Sequence, residues 1–280
     1  MNRLKGRIAL VTGAGSGLGA AISRRFAEEG AVVVVNDLHL DTAERVHAEC
    51  EKTTPGGAAV AADVADSAAV RRMFEDFDRK YGRLDVLVNN AGIGLVGARS
   101  AAYTRLWRQQ MNELQSSGAI QSHCDTTIEL SDEDWDRMLR IHLYGTFYCS
   151  REALKIMRRQ TGTPSAGKIV NMGSIMGTAA GAGAIDYCAA KAGILGFTRA
   201  LARELVTRNI QVNAIAPGFI ETPLIDPLKE VHDLIRLSTP QGRLGQPDDV
   251  AWAAVYLASP ESDFVTGQVL SPNGGWHMSQ

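Results

Sequence analysis

Tyr187 and Lys191 stand four residues apart in the run Tyr187-Cys188-Ala189-Ala190-Lys191, which reads as the opening of a long helix. At that spacing the phenol and the ammonium share one helix face. A phenol, with an ordinary pKa of about 10, is a poor base at neutral pH. A neighbouring positive charge favours the phenolate and lowers that value, which would make Tyr187 a usable general acid/base. Taken alone the pair is no more than an amphipathic helix surface. Ser174 adds to it: it follows a short apolar run, 13 residues before Tyr187, where its hydroxyl could hydrogen-bond a reacting oxygen.

A second group lies near the start of the chain. Thr12-Gly13-Ala14-Gly15-Ser16-Gly17-Leu18-Gly19 falls between an apolar run and a helical pattern. Glycines there let the backbone turn sharply and approach a pyrophosphate, whose charge the helix N-terminus stabilises. Tight turns need glycine for steric reasons too, so it is the strand-to-helix position that gives the run its meaning. The next apolar run ends at Asn36-Asp37, and Asp37 lies 18 residues after Gly19. A carboxylate at that distance accepts hydrogen bonds from an adenosine ribose diol and repels a 2′-phosphate. Ser16 and Leu38 offer no arginine for such a phosphate. NAD is therefore expected over NADP, with a solvated aspartate at a strand end as the plain alternative.

These groups need a scaffold, and the sequence alternates in the way that supplies one. Arg7–Thr12, Ala31–Val35, Ala58–Ala62, Leu84–Asn89, Lys168–Met172 and Gln211–Ile215 read as strands, with a last one around Gln268–Leu270. Leu18, Ile22 and Phe26 form a helical stripe, and helices are also expected over Ser67–Tyr81, Tyr187–Val206 and Asp248–Ala258. Ala31–Val35 has no polar alternation, the mark of a strand buried on both faces. The expected fold is α/β, a single Rossmann-like doubly wound parallel sheet with helices on both faces. One dinucleotide-binding and catalytic domain is expected over residues 1–280, with an insertion at about 95–130. Within that insertion Tyr103, Trp107, Met111 and Leu114 form an amphipathic stripe, followed by a polar stretch, Gln115–Asp125, expected to be mobile.

Composition removes other classes. The chain is 45% hydrophobic and 21% charged, a globular balance, with net charge -2. A sequence pI near 6.3 leaves no basic field for nucleic acid or anionic lipid. The first residues lack the apolar stretch of a secretory signal, and no apolar run nears the roughly 20 residues that span a bilayer. A cytoplasmic protein is expected. Cys50, Cys124, Cys149 and Cys188 form no Cys-x-x-Cys pair and read as reduced thiols; with six histidines at no zinc spacing, no metal is expected.

Taken in order, these motifs resemble those of the short-chain dehydrogenase/reductase family. The resemblance runs from the glycine loop through Asp63-Val64, Asn89-Asn90-Ala91-Gly92, Ser174, Tyr187, Lys191, Asn213 and Pro217-Gly218 with Thr222. It closes with Thr266-Gly267-Gln268 and Gly274-Gly275. It implies that Tyr187 is the general acid/base, that Lys191 lowers its pKa and holds the nicotinamide ribose, and that Ser174 positions the substrate oxygen. Gly13, Ser16, Gly17, Leu18 and Gly19 would lie under the cofactor, with Asp37 on the ribose. Asp63 would bind the adenine amino group, Val64 would flank its ring, and Asn90, Ala91 and Gly92 would line a wall. Pro217, Gly218, Ile220 and Thr222 would complete the cofactor site, Thr222 bonding the carboxamide. A homotetramer is also implied.

Two departures stand out. The family usually carries asparagine where this chain has His142, in the run His142-Leu143-Tyr144-Gly145-Thr146-Phe147. There the residue's main-chain carbonyl holds a water in a proton relay, and a carbonyl survives replacement by histidine. The ring could act directly or simply be satisfied by a neighbour. Some 3-hydroxyacyl-thioester dehydrogenases of the family have histidine there. The second departure is the 95–130 segment, rooted at the cofactor wall and readable as a substrate cap or a subunit contact. Arg99, Arg105 and Arg108 within it could meet a phosphate of CoA or of a carrier protein, or could be a solvated face. The other expected lid is Phe219–Leu237, where Phe219, Ile220, Leu224, Ile225, Leu228 and Leu234 favour an apolar substrate. The expected activity is NAD(H)-dependent interconversion of a secondary alcohol and a ketone, foremost a 3-oxoacyl/3-hydroxyacyl thioester. A bulky cyclic alcohol such as a hydroxysteroid, or a dinucleotide-sensing module without turnover, are the alternatives.

Overall fold

The structure is a computed structural model that describes residues 2–94, 98–160, 165–225 and 232–278, the side chains of 98–101, 103 and 104 excepted. Leu228, the Tyr103 ring and the Arg99 guanidinium therefore lie outside the described residues. Seven strands make one sheet: β1 Ile8–Val11, β2 Val32–Asp37, β3 Ala58–Ala61, β4 Val86–Asn89, β5 Gly167–Met172, β6 Ile210–Ile215 and β7 Val269–Leu270. All pair in parallel, in the order β3-β2-β1-β4-β5-β6-β7. The expected Rossmann-like sheet is present, each strand within two residues of the span read from sequence.

Neighbouring strand residues point to opposite faces. Ala9, Val11, Val33, Val35, Val86 and Val88 join Ile22 and Phe26 of α1 (Gly17–Glu28) and Val250, Ala254 and Val255 of α10 (Pro247–Ala258) in one core. Leu10, Val34, Leu87 and Ile169 meet Phe74 and Phe77 of α3 (Ser67–Tyr81), Ile156 of α7 (Gly145–Met157) and Leu205 of α8 (Ile185–Leu205) in the other. Each fully buried side chain of this size contributes about 1.5–3 kcal/mol. The helices start where the chemistry of their first residues dictates. Asp66 caps α3 by accepting from the Ala68 N–H at 2.8 Å, and Gly82 ends it at φ 66°. Ser131 caps α6 (Asp132–Leu139) from the Asp134 N–H.

Two features went unread in the sequence. Helix α2 (Leu40–Glu51) buries only Ala43, Val46 and Cys50, a stripe too weakly apolar to stand out among charged neighbours. Helices α6 and α7 are joined by a π-helical turn, Arg140–Tyr144, which carries His142. In the 95–130 segment the amphipathic stripe does form a helix, α4 (Ala98–Ser117). The polar stretch after it is tied back: the Glu113 carboxylate accepts from Gln121 N, Ser122 N and the Ser122 hydroxyl at 2.8, 2.9 and 3.1 Å. Those bonds hold its pKa down at about 2. No helix among the described residues is long and apolar enough to cross a membrane.

Sheet order fixes where a ligand can sit. Strand β1 lies between β2 and β4, so the loops after β1 and β4 diverge and leave a crevice at their C-terminal ends. Beneath that crevice runs a buried polar ladder. Asn89 Nδ2 donates to Asn171 Oδ1 (2.8 Å) and Ser150 Oγ (2.9 Å); Asn171 Nδ2 donates to Thr198 Oγ1 (2.9 Å), which donates to the Ile194 carbonyl. It stitches β4, β5 and α7 to α8, the helix that carries Tyr187 and Lys191. Asn89→Ala strands two buried partners and should cost about 2–3 kcal/mol in urea unfolding. A loss below about 0.5 kcal/mol would mean the ladder does not hold α8.

Candidate active site

Tyr187 and Lys191 occupy the first two turns of α8, against the C-terminal end of β5. Lys191 Nζ donates to the carbonyl of Met172, the last residue of β5, at 2.8 Å, and sits 5.5 Å from the centre of the Tyr187 ring. Ser174 follows two residues later. Its Oγ accepts from the Met176 N–H at 3.2 Å, opening a 3₁₀ turn, and the hydroxyl pulls the Tyr187 pKa down. The three predicted catalytic residues are thus brought together. Part of the tyrosine ring faces a cleft, yet its phenol lies deep enough that burial pushes it up to about 12, against the pull of Ser174. Burial likewise pushes the Lys191 ammonium down to about 7. The sequence reading has the ammonium lowering the phenol; in this structure burial dominates both groups.

A cleft of about 820 Å³ opens in front of them. Gly13, Ser16, Gly17, Leu18, Asn90 and Gly92 line it together with Ser174, Tyr187, Lys191, Pro217, Gly218, Ile220 and Thr222. Gly13 adopts φ 59°, and a Cβ there would lie 2.6 Å from Ala91 Cα, so the loops after β1 and β4 touch only because residue 13 is glycine. Asn90 fastens the contact, its Nδ2 donating to the carbonyls of Thr12 (3.0 Å) and Gly13 (2.9 Å). Ala91 and Gly19 sit behind this surface, where a Cβ at Gly19 would meet the Gly13 carbonyl at 2.4 Å. At the far end Asp37 Oδ2 accepts from the Gly15 N–H at 2.8 Å. Arg45 of α2, unread in the sequence, donates to the Gly15 carbonyl at 2.9 Å. Asp63 is exposed and accepts from the Ala65 N–H, whereas Val64 is buried and packs on Gly145.

His142 lines the cleft as well. Its Nε2 lies 3.1 Å from the Ile93 nitrogen and 2.9 Å from the Ile93 oxygen, and its ring meets Tyr187 edge-on at 5.4 Å. Nδ1 is buried without a hydrogen-bond partner, and burial with the nearby Lys191 charge keeps the ring neutral. Its own carbonyl accepts the Thr146 hydroxyl at 2.7 Å. The histidine side chain thus braces the wall that follows β4.

A second cavity, about 1320 Å³, shares Ser174, Tyr187, Gly218, Leu224 and Ile225 with the first. Its remaining wall includes Ile175, Met176, Phe219, Ile235 and Trp276, Phe219 and Trp276 packing edge-to-face at 5.8 Å. Leu234 lies in α9 (His232–Ser238). The site is therefore two-chambered: a polar, glycine-floored cleft and an apolar room, meeting at Ser174 and Tyr187. Among the described residues no group of three or more His, Cys, Asp or Glu is placed to hold a metal ion.

The sequence profile of the short chain dehydrogenases matches residues 7–232. This chain belongs to the short-chain dehydrogenase family. The 3-oxoacyl-(acyl-carrier-protein) reductase FabG of Thermotoga maritima is 37% identical over 274 residues, 98% of this chain and 98% of the relative. The (2S)-[(R)-hydroxy(phenyl)methyl]succinyl-CoA dehydrogenase subunit BbsD of Thauera aromatica is 39% identical over 276 residues, 97% of either chain. A short-chain type dehydrogenase/reductase from Mycobacterium marinum superposes with a TM-score of 0.83 at 29% identity, covering 99% of this chain and 97% of that one. Short-chain dehydrogenases are oxidoreductases that bind a nicotinamide dinucleotide, and the polar cleft fits one. Ser16 precedes α1 without spending its hydroxyl on a cap, and the first turn of α1 has no acidic residue, so a phosphate would meet free N–H groups and no opposing charge.

Lys191 in this short-chain dehydrogenase also carries a measurable cost. Its pKa of about 7 lies below the ordinary 10.5, so between those values the unfolded chain holds a proton that the folded chain has released. Stability should rise with pH across that window and bear the full penalty below it. Lys191→Met should stabilise the ligand-free protein by roughly 1–4 kcal/mol at pH 6, the gap narrowing towards pH 10. Paired unfolding curves at the two pH values check this; a constant gap would contradict it.

Proposed function

We propose that this enzyme interconverts a secondary alcohol and a ketone using NAD(H), foremost a 3-oxoacyl/3-hydroxyacyl thioester. The observation that carries the reading is the meeting of the two chambers at Ser174 and Tyr187, which line both. Bound in the polar cleft, the dinucleotide supplies the hydride acceptor or donor and, when oxidised, a positive ring that favours the phenolate. In reduction Tyr187 would give its phenolic proton to the carbonyl oxygen, and in oxidation its phenolate would take the hydroxyl proton, the cofactor supplying the hydride chemistry. Ser174 holds the same oxygen through its hydroxyl. Lys191 spends one of its three N–H donors on the Met172 carbonyl, and the other two would hold the nicotinamide ribose.

Support for the thioester comes from two relatives whose names specify an acyl thioester with oxygen at the corresponding carbon. The apolar second chamber also favours a bulky cyclic alcohol as the second reading. Asp37 at the end of β2 supports NAD, since a 2′-phosphate would approach its carboxylate. Asp63 would bind the adenine amino group with Val64 beside its ring, Gly19 would lie under the cofactor, and Ala91 would stand in its wall. Residues 1–280 act as one catalytic unit with α4 inserted, and exposed Phe147, Trp252, Tyr256 and Phe264 support assembly into a homotetramer.

Purified protein with NADH and 3-oxoacyl-CoA esters should consume reduced nicotinamide, and Tyr187→Phe should lower kcat by about 10²–10⁴-fold. Turnover that persists in the variant would remove Tyr187 as the acid. Asp37→Ser should raise the NADPH-to-NADH ratio of kcat/KM by about tenfold or more, since one repulsive charge is worth at least 1.4 kcal/mol here. A wild-type preference for NADPH would overturn the assignment of Asp37 and move attention to Arg45.

A further inference from the structure

Among the described side chains of the 95–130 segment, that of Trp107, from the middle of α4, lines the apolar room whose inner end is Ser174 and Tyr187. Of the stripe it belongs to, Met111 and Leu114 are exposed, so Trp107 is the member the chamber receives among the described side chains. Gly94, at the root of the segment, presses on the loop after β6: a Cβ there would lie 3.2 Å from both Leu224 Cγ and the Leu224 carbonyl. The segment and that loop thus close against each other at the chamber wall. Glu113 fixes the outer end of α4 through its clasp on Gln121 and Ser122.

The chemistry of the wall is one-sided. Apart from Ser174 and Tyr187 its lining offers one further hydroxyl, Ser238, already donating to the Ile235 carbonyl at 2.8 Å. No charged side chain lines it among the described residues. A substrate group inside therefore gains from apolar contact and ring packing and finds nothing to pair with a carboxylate.

We infer that Trp107 is a specificity-determining residue that selects carbonyl substrates bearing a bulky, uncharged, apolar or aromatic group beside the reacting carbon. The inference rests on the reading of this site as a carbonyl–alcohol oxidoreductase. Filling the room with a ring instead of a methyl group buries apolar area against Trp107, Phe219 and Trp276, whereas a methyl leaves it unfilled.

The test compares acetoacetyl-CoA with 3-oxo-3-phenylpropanoyl-CoA, using whichever reduced nicotinamide the enzyme prefers, on wild type, Trp107→Ala and Trp107→Leu. Wild type should favour the phenyl ester by about tenfold or more in kcat/KM. Trp107→Ala should lose about 10- to 100-fold on the phenyl ester, chiefly in KM, and stay within about threefold on acetoacetyl-CoA. Trp107→Leu, which keeps apolar bulk, should fall between. Equal losses on both esters would mean Trp107 only supports the fold, and an unchanged phenyl ester would remove it from the chamber; either result overturns the inference. If wild type reduces neither ester, the thioester reading fails by itself. Affinity for 1-tetralone by titration calorimetry, which needs no turnover, then decides. Weakening of about tenfold in Trp107→Ala supports the inference and unchanged affinity overturns it.

Discussion

An ammonium held out of water at the end of β5 is the constraint around which the rest of this molecule is organised. Withdrawing a charge of that kind costs several kcal/mol even after the protein relaxes. The Met172 carbonyl offsets part of it, and only a rigid frame can keep that carbonyl in place. The frame is visible in layers. Strand β5 is paired on both sides, and α8 is bound to it through Asn171 and Thr198. Two loops beyond β5 and β6 are tied by Gly173 N–H to the Ile215 carbonyl and Ile175 N–H to the Pro217 carbonyl. Each tie removes freedom from Ser174, Tyr187 or Lys191, so the lysine's burial is sustained by the same bonds that align the reacting groups.

The cofactor side is governed by a different restriction, the divergence of two loops at β1. Here precision comes from the absence of side chains at Gly13 and Gly15 and from two side chains that tie the loop down: the Asn90 amide donates to the Gly13 carbonyl, and the Asp37 carboxylate accepts the Gly15 N–H. His142 extends this bracing to Ile93 from an unusual place, a π-helical turn, and it does so as a neutral ring. The His142 side chain thus touches Ile93 and Tyr187, while its main chain stays within the π-helical turn.

Much of this was legible in the sequence, for physical reasons that can be named. Parallel strands buried on both faces favour runs of valine, isoleucine and alanine, so Ala31–Val35 marked β2 to within two residues at its ends. The glycine loop, Ser174, Tyr187 and Lys191 were legible because each is tied to a local geometry: a turn, a strand end, one face of a helix. Arg45 was not, because its partner Gly15 is 30 residues away and nothing in α2 marks a surface arginine as reaching back. The pairing of His142 with Ile93, 49 residues apart, was hidden for the same reason. For α4 the stripe predicted a helix, but a stripe states which face wants cover and not what will cover it. Only the fold shows that Trp107 lines the apolar room.

The two chambers draw their walls from Gly13 near one end of the fold and Trp276 near the other. A ribosome delivers these residues at widely separated times. Until β6, β7 and the stretch around Trp276 have emerged, β5 has an open edge, Lys191 lacks the neighbours that stabilise its position, and the apolar room has no far wall. Parallel pairing between such distant segments is intrinsically slow and leaves hydrophobic edges exposed while it waits. The site thus exists only once segments far apart in the sequence have paired, so its assembly is tied to the slowest contacts of the fold.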